Sequence, residues 1–367
     1  MIICKKSILS SLIFYFVSVN NENTVQVLCI QPAIIRRTTD NTSPTIHLHV
    51  PVLFESSRVL IIHKPHGIGH HDESSSSQSL SSSSLSSSSS GQQPGILQIL
   101  RKQRKQRRDE EEKCEVGSNN DERLYGIHRL DKVTSGILVF AKDKSTASIL
   151  SKYFAEKKID KIYFGISGKK PKKKKQGLVE GGMKRSRNKG WILVRNNYKD
   201  KRNKSNNFAK TRFFTAIINS NNNSNGGTGT SHSDIFKTVI MFRPITGKTH
   251  QLRVAAKSMG IPLLGDPIYK DGKSINGKKV VHNMKTRTML HASGIHIPKF
   301  LDHEEINIWC PPTFLNDNYE DLDSIHMTSI LSNSLAKVVQ KLMTKNCDVD
   351  GILKAMNDGK EISATLQ

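Results

Sequence analysis

The sequence predicts a mixed α/β domain of the α+β kind, and three observations carry that class. Apolar runs of strand length, Val59–Lys64 and Ile137–Ala141, are bounded by Pro, Gly and polar turns. Two further runs, Phe213–Ile218 and Ile235–Phe242, flank a stretch of Asn, Gly, Ser and Thr and read as an antiparallel hairpin with a long tip. Helical spacing of apolar residues appears at Lys144–Lys157 and again after Thr249.

Composition narrows the partners before any motif is considered. The 367 residues can hold one large domain or two smaller ones. A formal net charge of +24 implies a polyanionic partner, either nucleic acid or an anionic membrane. No stretch reaches the roughly 18 apolar residues that span a bilayer, so stable membrane association is not expected. The five cysteines are scattered, odd in number and without the close pairs of zinc or redox motifs, which reads as free thiols in a reducing compartment.

Residues 1–50 are expected to be a poorly ordered leader. Lys5 and Lys6 precede the short apolar run Ile8–Val19, with no acid before Glu22. Charge followed by a short apolar region is the pattern of a targeting segment. Delivery to a mitochondrion or plastid is the expectation, with cytoplasm or nucleus as the alternative. The strand Val59–Lys64 is stopped by Pro65 and turned at Gly67 and Gly69. From Ser74 to Ser90, 14 of 17 residues are serine, a composition too polar to offset its ordering entropy, so an insert at about 72–93 is expected to be disordered. Ile96, Leu97, Ile99 and Leu100 then begin an amphipathic helix that becomes the basic run Arg101–Arg108, either a solvated face or a phosphate contact.

Gly126–Gly136 is a polar turn that leads into the buried run Ile137–Ala141. Asp131 sits there among His128, Arg129 and Lys132. Two readings compete: a turn-stabilising Asp that accepts backbone amides, or a carboxylate kept ionised by neighbouring cations and ready to react as nucleophile or base. Spacing alone does not decide between them.

Beyond the helix Lys144–Lys157, whose Ala147, Leu150 and Phe154 share a face, Lys161–Ser167 alternates as a strand. Between Lys169 and Arg212, 17 basic residues face two acids, Glu180 and Asp200. Lys172–Lys175 within this stretch fits a nuclear-import signal, and its charge equally suits contact with a phosphate backbone. After the hairpin, whose tip at about 219–233 is a second disordered insert, comes Arg243–Val254. There Thr249 is placed to cap a helix that Gly260 ends. Met289–Ala292 and Ile295–Pro298 read as a strand with Glu305–Trp309 beside it, and 316–367 supplies a C-terminal helix and tail.

Several of these blocks resemble one family. His128-Arg129-Leu130-Asp131-Lys132-Val133-Thr134-Ser135-Gly136 is similar to the H-R-L-D-x-x-T-S-G signature of the RluA-like pseudouridine synthases. Lys64-Pro65-His66-Gly67, Lys161-Ile162-Tyr163 with Gly168, Thr246–Val254 and Gly260–Tyr269 resemble further blocks of that family. Lys248 stands where Arg is usual and Ala255 where His is common, and Gln176–Val179 with Met183–Trp191 resembles a basic insertion of a bacterial-type subset of the family, which implies RNA contact in preference to nuclear import.

The resemblance covers roughly Val59 to Pro312. It implies the pseudouridine synthase fold over 51–315, a mixed and largely antiparallel sheet flanked by helices with an RNA-binding cleft. It also implies isomerisation of uridine in ribosomal or transfer RNA by a monomer, with no metal or organic cofactor. Asp131 would be the reacting group, Arg253 its ion-pair partner holding it ionised and oriented, and Tyr163 the ring beside the base. Leu252 would floor the base pocket, and Arg129 would fill the space left by an extruded uridine. His128 would shape the turn, and Thr249, His250 and Gln251 would face the RNA.

Overall fold

The computed structural model describes residues 16–19, 25–28, 35–36, 47–72, 94–111, 123–171, 175–187, 190–194, 207–219, 236–269, 287–310 and 312. The expected inserts at about 72–93 and 219–233, the helix in 316–367 and most of the leader fall outside these residues.

The strands in chain order are β1 (Phe16–Val19), β2 (Val25–Leu28), β3 (Ile35–Arg36), β4 (His47–Leu48), β5 (Val52–Glu55), β6 (Val59–Lys64), β7 (Tyr125–Gly126) and β8 (Ser135–Ala141). They continue with β9 (Asp160–Ser167), β10 (Gln176–Arg185), β11 (Trp191–Val194), β12 (Phe208–Asn219), β13 (Phe236–Pro244), β14 (Leu290–Ile297) and β15 (Ile306–Trp309). The helices are α1 (Ile96–Glu111), α2 (Lys144–Ala155) and α3 (Gln251–Ser258).

Thirteen strands make one sheet whose main path runs β1-β2-β15-β14-β9-β13-β12-β10-β11. A branch leaves β14 through β8 to β6 and β5, with β7 also on β8. Pairing is antiparallel except where β8 meets β14 and β2 meets β15. The mixed, largely antiparallel sheet implied by the sequence is therefore present.

Chemistry at the sheet's branch point explains why β6 and β8 read as continuous apolar runs. Every position of both strands is buried, because each face is covered. Ile137 and Val139 pack on one side with Leu150 of α2, Ile295 and Ile308. Leu138 and Phe140 pack on the other with Ile96 and Leu100 of α1. The basic run of α1 is tied to β5 by Glu55, which lies 3.6 Å from Arg104 and 3.7 Å from Arg107. α2 begins where Asp143 accepts a 2.8 Å bond from the Thr146 amide.

Two local expectations need correction. The basic stretch after Lys169 is more than an appended insertion, because β10 and β11 form a hairpin that continues the sheet from β12 in regular register. Thr249 does not cap α3. The cap position belongs to His250, which adopts φ 58° and makes no side-chain capping bond. The loop before the helix is held by Gln251 instead, whose Oε1 accepts from the Lys248 amide at 2.9 Å and from Thr246 Oγ1 at 2.7 Å.

Candidate active site

The turn that carries Asp131 enters β8 and is fixed from three directions. Gly136 adopts φ 111° with its Cα packed against the backbone of Ala292, where a Cβ would collide, so the β8–β14 approach requires glycine. Gly67 N–H donates to Lys132 O at 2.7 Å. Lys64, 1% exposed, donates from Nζ to Pro65 O and Ile68 O at 2.9 Å each and toward Lys132 O at 3.4 Å. Burial pulls its ammonium pKa down to about 7, opposed by the charge of Asp131.

His128 shapes this turn from behind. Its Nε2 accepts the Val139 amide at 3.1 Å, and its ring stacks on Phe154 at 4.8 Å. Burial, together with Lys161 and His70, pushes the imidazole down to about 3, so it is a neutral acceptor at physiological pH.

Arg253 reaches the carboxylate from α3. Its Nη1 lies 3.2 Å from Asp131 Oδ2, while Nε and Nη2 grip Asp266 at 2.7 and 2.9 Å. Asp266 is itself 1% exposed and also accepts the amides of Ile268 and Tyr269. Burial opposes the charge on Arg253, but Asp266 and Asp131 outweigh it, and the guanidinium holds its proton more tightly than usual. Burial likewise opposes the charge on Asp266, and the Arg253 contact outweighs it, so Asp266 stays ionised. The result is a fixed cation facing Asp131, with its other edge already neutralised.

These groups open into a cleft of about 620 Å³, lined among others by Arg129, Asp131, Tyr163, Phe208, Leu252 and Arg253. Arg129 is exposed, and Leu252 is buried in the apolar cluster behind the cleft. Tyr163 packs between two core clusters. Burial, reinforced by the charge of Asp131, raises its phenol pKa well above the usual value, so its hydroxyl keeps its proton.

Thr249 and His250 also line the cleft. Gln251 is 5% exposed, and its amide nitrogen donates to Lys210 O at 3.0 Å and Thr211 Oγ1 at 2.8 Å. Its side chain therefore latches the 246–248 loop to β12 from within the cleft lining.

Sequence reasoning missed three features. Asp266, within the Gly260–Tyr269 block, clamps Arg253, a contact its sequence setting does not reveal. Phe208 lies in the cleft wall at 37% exposure, and nothing in its local sequence marks it. His63, His291 and Cys310 come within 4.8 Å of one another in the core although no spacing pattern groups them. Both nitrogens of His291 are committed there, Nδ1 with Ser135 Oγ at 2.8 Å and Nε2 with Cys310 O at 3.2 Å.

The comparisons agree with the geometry. Residues 58–258 match the family described as RNA pseudouridylate synthase, a span holding Asp131, Tyr163 and Arg253. A Haemophilus influenzae protein described as an uncharacterized RNA pseudouridine synthase is 38% identical over 194 residues, covering 53% of this chain and 71% of that one. A ribosomal large subunit pseudouridine synthase C of Rickettsia bellii is 30% identical over 197 residues, covering 52% of this chain and 54% of the relative. Among solved structures, human RNA pseudouridylate synthase domain containing 1 has the same fold, with a TM-score of 0.52 at 19% identity over 84% of this chain and all of that one. With the match extending over more than half of its length, the chain belongs to the RNA pseudouridylate synthase family, whose members are isomerases.

Proposed function

We propose that this chain converts specific uridines in ribosomal or transfer RNA to pseudouridine, acting as a monomer with Asp131 as the reacting carboxylate. The observation that carries the reading is the 3.2 Å contact between Asp131 and the buried Arg253 at a cleft shared with Tyr163 and Leu252. Ribosomal RNA is the favoured substrate, because relatives from Rickettsia and Borreliella are named for the ribosomal large subunit.

The reaction breaks the N1–C1′ bond of uridine, turns the uracil within the cleft, joins C5 to C1′, then moves the C5 proton off while N1 gains one. Atoms are conserved and no electron leaves the substrate. Asp131 acts on the target nucleotide as nucleophile or by removing a sugar proton, and Arg253 keeps its carboxylate oriented. Tyr163 stacks beside the uracil, and its protonated hydroxyl is available for the late proton transfer. Arg129, exposed on the cleft wall, occupies the space vacated when a stem uridine is extruded, a step costing on the order of a few kcal/mol.

Hydrolysis of a glycosidic bond by paired carboxylates is disfavoured. The acid nearest in the motif blocks, Asp266, is buried and bound to Arg253 and two amides, so it has no route to a leaving group. A pseudouridine map of ribosomal and transfer RNA from cells with and without the protein tests the proposal. A defined set of sites disappearing with the protein supports it, and identical maps would reject it.

A further inference from the structure

A chain of hydrogen bonds runs from the basic β10–β11 hairpin to the vicinity of Asp131. The Trp191 amide at the start of β11 donates to Tyr269 Oη at 2.9 Å. Tyr269 Oη lies 2.8 Å from His250 Nδ1, and His250 Nε2 lies 4.0 Å from Asp131 Oδ2.

The proton positions follow from what each group can do. A backbone amide only donates, so Oη is the acceptor from Trp191. Tyr269 is 6% exposed, and a buried hydroxyl hydrogen needs an acceptor. His250 Nδ1 is the partner that can supply it, which leaves Nδ1 unprotonated and places the imidazole proton on Nε2. Burial, with Arg253 and Arg185 nearby, lowers the imidazole pKa against the pull of Asp131 and Asp266, in keeping with a neutral ring that carries one proton.

A second observation is independent of those bonds. His250 adopts φ 58° and ψ 17°, a left-handed conformation that L side chains rarely take. Its side chain makes no capping bond to the helix it precedes, so capping does not account for the strain. The left-handed backbone instead directs the imidazole into the cleft, between Tyr269 and Asp131.

We propose that His250 is a positioning residue whose Nε2–H faces Asp131, that Tyr269 fixes this tautomer, and that the contact closes onto the carboxylate when RNA fills the cleft. At 4.0 Å the nitrogen lies near Asp131 without bonding to it, and catalytic contacts of this kind tighten on substrate binding. Because Tyr269 is held by Trp191, whose ring lies 4.6 Å beneath the Arg185 guanidinium, the basic hairpin and the reacting carboxylate share one structural connection. The inference rests on the reading of Asp131 as the reacting group.

Nitrogen-15 NMR of the histidine-labelled full chain tests the tautomer without requiring activity. The expected result is His250 protonated at Nε2 in the wild type and a changed or mixed tautomer in Tyr269→Phe. Observation of the Nδ1–H form in the wild type would overturn the proposal whether or not Tyr269→Phe folds. In single turnover at saturating RNA, His250→Ala is expected to lose about tenfold or more in rate, with partial recovery in His250→Gln, which keeps a donor. Equal rates in wild type and His250→Ala would also overturn it. If the wild type itself makes no pseudouridine, the function proposed above fails while the tautomer result still stands.

Discussion

Arg253 and Asp266 form a two-bond clasp, Nε to Oδ2 at 2.7 Å and Nη2 to Oδ1 at 2.9 Å, which leaves Nη1 to face Asp131. Both residues are almost fully buried, so the clasp fixes the plane of the guanidinium without competing for the cleft side. Removing the charge of Asp266 leaves the buried Arg253 with Asp131 as its remaining anionic partner, at a cost of up to about 3–5 kcal/mol. Asp266→Asn is therefore expected to lower the thermal midpoint and to slow turnover. A variant with wild-type stability and rate would show that the clasp is dispensable.

Arg129 has a role that depends on the substrate. On a stem uridine, Arg129→Ala should lose about tenfold or more in turnover, because nothing then offsets the unpairing cost. On the same uridine in an unpaired strand the loss should be small. Kinetics on the matched pair of RNAs check this, and equal losses would remove Arg129 from the flipping step.

Tyr163 combines a packed ring with a hydroxyl held protonated by burial and by Asp131. Tyr163→Phe keeps the ring and removes the proton donor. RNA affinity should be retained while product formation falls, and Tyr163→Ala should weaken both. Separate binding and single-turnover measurements distinguish the outcomes, and full activity in Tyr163→Phe would exclude the hydroxyl from chemistry.

His128 makes a prediction about pH and stability. Its pKa is about 3 when folded against 6.5 as the ordinary value, so below pH 6.5 the unfolded chain takes up a proton that the folded chain refuses. The stability linked to this residue is therefore present above pH 6.5 and is lost progressively as pH falls toward 3. Urea midpoints between pH 7 and pH 4 should fall more steeply in the wild type than in His128→Gln. Parallel slopes would contradict the assignment.

Much of this was legible in the sequence because local pattern and burial agree. β6 has the bounds its apolar run predicts, and α2 starts at the residue after its Asp143 cap. The Asp131 turn and the Thr246–Val254 block were recognisable as separate pieces whose meeting came from family resemblance. What could not be read depends on contacts between distant residues. The clasp on Arg253 joins α3 to the loop beyond it, and Phe208 reaches the cleft from the start of β12, where it pairs with Gly182 of β10. The hairpin of β10 and β11 was hidden because Gly177, Gly181 and Gly182 break up the apolar signal of β10 while its backbone still pairs with β12. The left-handed His250 was masked by Thr249, a better capping residue on sequence grounds.

The central claim is that Asp131 reacts with the target uridine and does more than stabilise its turn. Asp131→Asn keeps the side-chain size and removes the charge that faces Arg253. The decisive measurement is pseudouridine formation in substrate RNA by this variant, with binding of the same RNA recorded in parallel. The account predicts that product is lost while RNA affinity stays close to the wild type; normal pseudouridine yield from Asp131→Asn would contradict it.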